Sequence, residues 1–197
     1  KQTEGEFLLD GKPFDVNQNH IGYLPEERGM YAKVSLKDQL AYFAKLKGAD
    51  NKKAAEEAEY WIDYFGLKDY TNKKLETLSK GNQQKIQIAQ AFINDPAIII
   101  LDEPTSHLDI ETEFEIKEKL LELFKGRTVI IATHRLHWLH NVDYVLNLDH
   151  GKVVDFEAEE GYDILKQLLD TDEGSKRIGE VALVPNDSPI SNSGLLY

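Results

Sequence analysis

Ala97-Ile98-Ile99-Ile100-Leu101 is an unbroken run of small and branched apolar residues, closed by Asp102-Glu103-Pro104. Without alternation, such a run reads as a strand buried on both faces of a parallel sheet. Carboxyl ends of parallel strands are where α/β proteins bind ligands. Asp102 suits Mg²⁺, which takes a few carboxylates together with water and phosphate oxygens. Glu103 is placed to polarise an attacking water. The same residues also fit a core strand whose acids merely cap the following turn. Thr128 to Ala132 is a second continuous apolar run, with Thr133-His134 at its carboxyl end.

A chain of 197 residues is expected to hold one domain, or one domain and an appendage. It has no cysteine, which excludes disulfides, thiolate nucleophiles and Cys-ligated metals. No apolar run approaches the ~18 residues of a membrane span, and Lys1 to Glu6 show no signal-peptide pattern, so a cytoplasmic location is expected. The net charge is −12. In the last 47 residues ten acids face four bases, a balance of −6. Such acidity disfavours nucleic acid as a partner.

Glu6 to Asp15 reads as a hairpin turning at Asp10-Gly11. His20 to Leu24 is a short strand. Ser35 with Asp38 forms a capping box for a helix whose face is Leu36, Leu40, Phe43 and Leu46 or Lys47. A second helix, capped by Asn51, turns Ala54, Ala58, Trp61, Ile62 and Phe65 inward. Two successive helices suggest a helical insert beside a sheet. Ser79 is a good N-cap for a helix running to about Ile93, and such an entry makes an anion site. A further helix from about Glu111 to Phe124 is expected to bury Phe114, Leu121 and Phe124. A short helix is expected around Trp138 and Leu139. A hairpin over 144–156, a helix over 160–169 and a strand-like run from Glu180 to Val184 complete the chain.

Four pieces agree in order and spacing with one family. Leu78-Ser79-Lys80-Gly81-Asn82-Gln83-Gln84 resembles the signature motif of ABC-type ATPase cassettes. Ile98 to Glu103 resembles their Walker B strand with its catalytic glutamate. Ser106-His107-Leu108-Asp109 resembles the D-loop, and His134 the switch histidine. The resemblance covers about residues 1–154. Residues 21–31 resemble the Q-loop region of one exporter-type branch, and residues 103–150 resemble a cysteine/glutathione exporter type.

The resemblance implies an α/β fold: a partial RecA-like parallel-sheet core with a helical subdomain and a C-terminal appendage. Its expected divisions are a strand-rich start at 1–21, a helical subdomain at 22–94, the core at 95–150 and the appendage at 151–197. It implies ATP and Mg²⁺, with Asp102 holding the metal, Glu103 orienting water and His134 contacting the γ-phosphate. Ser79, Lys80, Gly81 and Asn82 would grip the nucleotide of a second cassette in a head-to-tail dimer. Asp109 and Glu26 would couple the sites, and a membrane-spanning subunit or domain would be driven from the inner face of the membrane. Three residues depart from the commonest pattern: Glu26 stands where a glutamine is usual, and Lys80 and Asn82 vary the signature. His107, His137 and His140 read as structural or surface residues.

The phosphate-cradling pattern G-x-x-x-x-G-K-[ST] occurs nowhere in these residues. In the family it lies upstream of Glu6, so the chain is expected to begin after it. Residues 170–194 resemble a segment of the thermophilic-type (M29) metallo-aminopeptidases. Glu180 matches a metal ligand there, but its histidine and aspartate partners would lie beyond Tyr197. The chain therefore reads as a mosaic of segments. Besides an export-type ABC ATPase cassette, two readings stay open: a non-catalytic partial cassette that binds a partner, and a metallo-aminopeptidase fragment.

Overall fold

The computed structural model describes residues 8–9, 12–15, 20–26, 29–106, 108–149, 152–158 and 162–170. In chain order the elements are β1 (Leu8–Leu9), β2 (Lys12–Pro13), β3 (Ile21–Leu24), α1 (Leu36–Leu46), α2 (Asn51–Tyr64), α3 (Lys80–Phe92), β4 (Ile98–Asp102), α4 (Ile110–Phe124), β5 (Thr128–Ala132), β6 (Tyr144–Asp149), β7 (Lys152–Ala158) and α5 (Tyr162–Leu169). They fall into two units, Phe14–His134 and a second one joining Lys1–Pro13 to Arg135–Tyr197.

In the first unit β4 is central in a parallel sheet of order β3-β4-β5. Leu24 pairs with Leu101, and Asp102 with Ala132. Ile99 and Leu101 are fully buried, as the apolar run requires. β5 differs from its sequence reading. Among the described residues it is an edge strand, and Ile130 is 48% exposed. Apolar residues at successive positions show that both faces tolerate burial. They do not supply the neighbours that would cover them.

β3 lies hard against α3 at Gly22. A Cβ there would meet the Ala91 carbonyl oxygen at 2.3 Å and Ile99 Cδ1 at 2.6 Å. The first clash is with backbone, which cannot swing aside. Gly22→Ala is therefore expected to destabilise the first unit by roughly 1–3 kcal/mol, the usual range for overpacking, read as a lowered urea midpoint.

The helical layer follows its capping signals closely. Ser35 caps α1, accepting from the Asp38 amide at 3.1 Å. Asp50, one residue before the expected Asn51, caps α2 by accepting from the Lys53 amide at 2.8 Å. Ala54, Ala58, Trp61, Ile62 and Phe65 are buried as expected. At the end of α1 it is Lys47, not Leu46, that turns inward. Leu46 is 63% exposed, while Lys47 Nζ donates to the carbonyls of Ala91 and Ile93 at 3.4 and 3.2 Å. A cation suits these carbonyls at the C-terminus of α3. Asn94 turns the chain there with φ 65°, a left-handed conformation that asparagine tolerates. Its amide nitrogen donates to Glu57, and its side-chain nitrogen to the Lys47 carbonyl, at 2.8 and 2.7 Å.

Burial lowers the Lys47 ammonium from 10.5 to about 8, more than nearby Glu57 restores. Between those two values the unfolded chain holds more protons at this position than the folded one. The stability contributed here therefore rises with pH through that window, and is lost as pH falls through about 8. Urea unfolding of wild type and Lys47→Met across that window should show a difference that grows with pH, by at most about 1.4 kcal/mol per pH unit. A pH-independent difference would contradict this assignment.

α4 buries Ile116, Leu120 and Leu123. Of the residues expected inward, Phe114 is instead 65% exposed and Leu121 and Phe124 are only half-buried, because the helix carries two apolar rows and only one of them meets the core. In the second unit β6 and β7 pair antiparallel, with an irregular register between Asn147 and Leu148. Phe156 of β7 stacks on Tyr162 of α5 at 5.0 Å. Among the described residues no helix is long and apolar enough to cross a membrane. The run from Glu180 to Val184 lies outside the described residues, as do His107 and Glu180 itself.

Candidate functional site

Asp102 ends β4, the central strand, and Glu103 follows in a turn closed by the Ser106 amide donating to the Glu103 carbonyl at 3.1 Å. Glu103 has φ 43°, a left-handed conformation costly for a side chain of this kind. Its surroundings hold it there. Its amide donates to the Ala132 carbonyl at 2.9 Å. Its carboxylate accepts from the Thr133 hydroxyl at 3.1 Å and from the His134 backbone amide at 2.6 Å. Asp102, Glu103, Thr133 and His134 are thus gathered at the carboxyl ends of two neighbouring parallel strands, where the sequence reading places them. The contact between His134 and Glu103 is made by the His134 backbone amide, and His134 is exposed.

On β3, Tyr23 faces the same end. Its hydroxyl is pushed up from its ordinary value by burial and then by the Asp102 carboxylate. Hard oxygen donors on Asp102 and Glu103 fit Mg²⁺, which needs only one or two protein carboxylates when phosphates supply the rest.

Ser79 is the N-cap of α3, its hydroxyl accepting from the Asn82 amide at 3.3 Å. Ser79 and Lys80 are exposed, and Gly81 and Asn82 are half-buried. Gly81 is pressed against α4: a Cβ there would stand 2.6 Å from Thr112 Cγ2. Asp109 is the N-cap of α4, accepting from the Thr112 amide at 2.9 Å and its hydroxyl at 2.8 Å. Those bonds hold the exposed Asp109 carboxyl below the usual carboxylate value. Glu26 is exposed just beyond β3 and takes no part in these contacts. Thr112 and Thr133 carry no motif signal, and only the fold reveals that each touches a candidate residue.

The family described as ABC transporter matches residues 1–106, more than half of the 197. The chain belongs to the ABC transporter family. A second family, described as thermophilic metalloprotease (M29), matches residues 140–197 of this ABC protein. An uncharacterised ABC transporter ATP-binding protein of Alkalihalophilus pseudofirmus is 35% identical over 96% of the chain and 78% of its own length. The uncharacterised ABC transporter ATP-binding protein YhaQ of Bacillus subtilis is 42% identical over 77% of the chain, which spans 52% of that protein. Among solved structures, the ATP-binding cassette MJ0796, a dimer in a post-hydrolysis state bound to ADP and Pi, superposes with a TM-score of 0.70. It is 25% identical and covers 81% of this chain and 75% of its own. The mixed α/β unit with its parallel sheet is therefore an ABC cassette fold, and nucleotide binding goes with it.

Proposed function

We propose that this ABC cassette contributes two half-sites to ATP hydrolysis at the cytoplasmic face of a membrane. The first is the strand-end cluster. Asp102 binds Mg²⁺ directly or through water, Glu103 orients the attacking water, and the His134 side chain contacts the γ-phosphate. Bound magnesium would neutralise charge on the phosphate oxygens. The second half-site is the start of α3, where Ser79, Lys80, Gly81 and Asn82 receive the nucleotide presented by a second cassette. Asp109 and Glu26 couple the sites to each other and to a membrane-spanning partner reached through the helical layer. The dimeric neighbour bound to ADP and Pi supports the paired arrangement.

The observation that carries this reading is the Glu103 carboxylate held by Thr133 and His134 where two parallel strands end. The test is phosphate release. The 197-residue chain alone should release phosphate from MgATP slowly or not at all, since it carries no G-x-x-x-x-G-K-[ST] to cradle the phosphates. Mixed with a cassette that has an intact phosphate loop and a weakened signature, it should restore turnover. Absence of rescue would favour a partial cassette that binds without catalysing.

A further inference from the structure

The start of α3 and the turn that carries Glu103 are joined by contacts that no motif predicts. Gln84, five residues past Ser79, donates from Nε2 to the Pro104 carbonyl at 2.7 Å. Pro104 directly follows Glu103, and its carbonyl belongs to the Glu103–Ser106 turn. From the other side Thr105, fully buried, donates its hydroxyl to Glu113 of α4 at 2.8 Å. α3 and α4 are themselves clamped. Lys85 Nζ meets both Glu115 oxygens at 2.9 and 2.8 Å, with the Lys85 side chain only 10% exposed, and Gly81 abuts Thr112.

A helix rises about 1.5 Å per residue and is stiff over one or two turns. A shift at Ser79 therefore reaches Gln84 nearly undiminished. We propose that Gln84 is a positioning residue that ties occupancy of the Ser79–Asn82 segment to the placement of Glu103 in the same subunit. The inference rests on the reading that α3 receives a partner's nucleotide. It adds the route by which one nucleotide site informs the other. The Lys85–Glu115 pair and the Gly81–Thr112 contact keep α3 and α4 moving together, so that the Pro104 carbonyl is displaced as a unit with Gln84. Coupling of this kind needs two sites and a shared element with differential contacts, and α3 is that element.

The experiment follows backbone amide hydrogen exchange at Glu103, Thr105 and Ser106 in the full chain. It compares the chain with and without a hydrolysis-deficient cassette that carries an intact phosphate loop and is loaded with MgATP. In the wild type, engagement should slow exchange at these amides by a factor on the order of 10, within the usual range of coupling between sites. Gln84→Leu, and Gln84→Glu, which keeps the length but removes the donor, should still bind the loaded cassette while losing the slowing. Lys85→Arg, which keeps the ion pair, should retain it. Melting of each variant is recorded alongside, and a purely structural role would lower melting without removing the slowing. Equal slowing in both Gln84 variants and wild type would overturn the proposal. Failure of the wild-type chain to bind the loaded cassette would overturn the functional reading and, with it, this inference.

Discussion

Replacing Ser79 should abolish the rescue of phosphate release in a mixture of this chain with a cassette of intact phosphate loop, by a factor on the order of 100 or more. Phosphoryl transfer is mostly positioning and charge neutralisation, so losing donors at one end of the nucleotide costs far more than one ordinary hydrogen bond. Ser79 also caps α3, and alanine there would cost about 1 kcal/mol of stability by itself. Aspartate separates the two effects. It caps a helix as well as serine does, yet puts a carboxylate where a phosphate would sit. Ser79→Asp should therefore melt like the wild type and still abolish rescue. Glu103→Gln should reduce rescue much less, because on the proposed reading Glu103 serves the nucleotide of its own subunit. Rescue that survives Ser79→Asp but is lost in Glu103→Gln would reverse the assignment of the two half-sites.

Phe92→Ala is expected to cost about 3–5 kcal/mol, the range for removing a buried aromatic ring. Phe92 is 1% exposed at the end of α3. Its ring lies 6.0 Å from that of Trp61 on α2, and the Arg127 guanidinium sits 5.8 Å from it on the turn between α4 and β5. Truncation thus removes a contact to α2, a cation–π contact and a side chain close to the β3–α3 junction at once. With roughly 2–4 °C per kcal/mol for a chain of this size, the melting point should fall by roughly 6–20 °C. Phe114→Ala is the matching control. Phe114 is 65% exposed, so a change within about 0.5 kcal/mol is expected. Comparable losses for the two variants would mean that Phe114 is a core residue after all.

These two phenylalanines mark how far the sequence carried the fold. The inward face of α2 was legible because Ala54, Ala58, Trp61, Ile62 and Phe65 form one stripe with no rival. α4 offers two stripes, Phe114 with Leu121 and Ile116 with Leu120 and Leu123, and periodicity cannot choose between them. The starts of α1 to α4 were legible to within a residue, and that of α5 to within two. Asp50 and Asn51 are both good caps by type, and the helix takes the earlier one. β4 is buried on both faces, as its unbroken apolar run implies. β5 has the same apolar pattern, but burial depends on neighbours that its own residues do not specify.

In the candidate site, Asp102, Glu103 and the Ser79 cap were legible from strand ends and capping chemistry. The hold of Thr133 on Glu103, the left-handed backbone at Glu103 and the Gln84–Pro104 bond were not. Each is a polar contact between elements distant in sequence, and such contacts leave no periodic trace.

The central claim is that this chain supplies the signature half of a shared ATP site as well as a strand-end carboxylate pair. The most direct measurement is phosphate release from MgATP by the chain alone, by a signature-weakened cassette alone, and by the two together. Near-background release from each alone and restored turnover in the mixture is the predicted result. Robust turnover by the isolated chain that disappears with Glu103→Gln would contradict it.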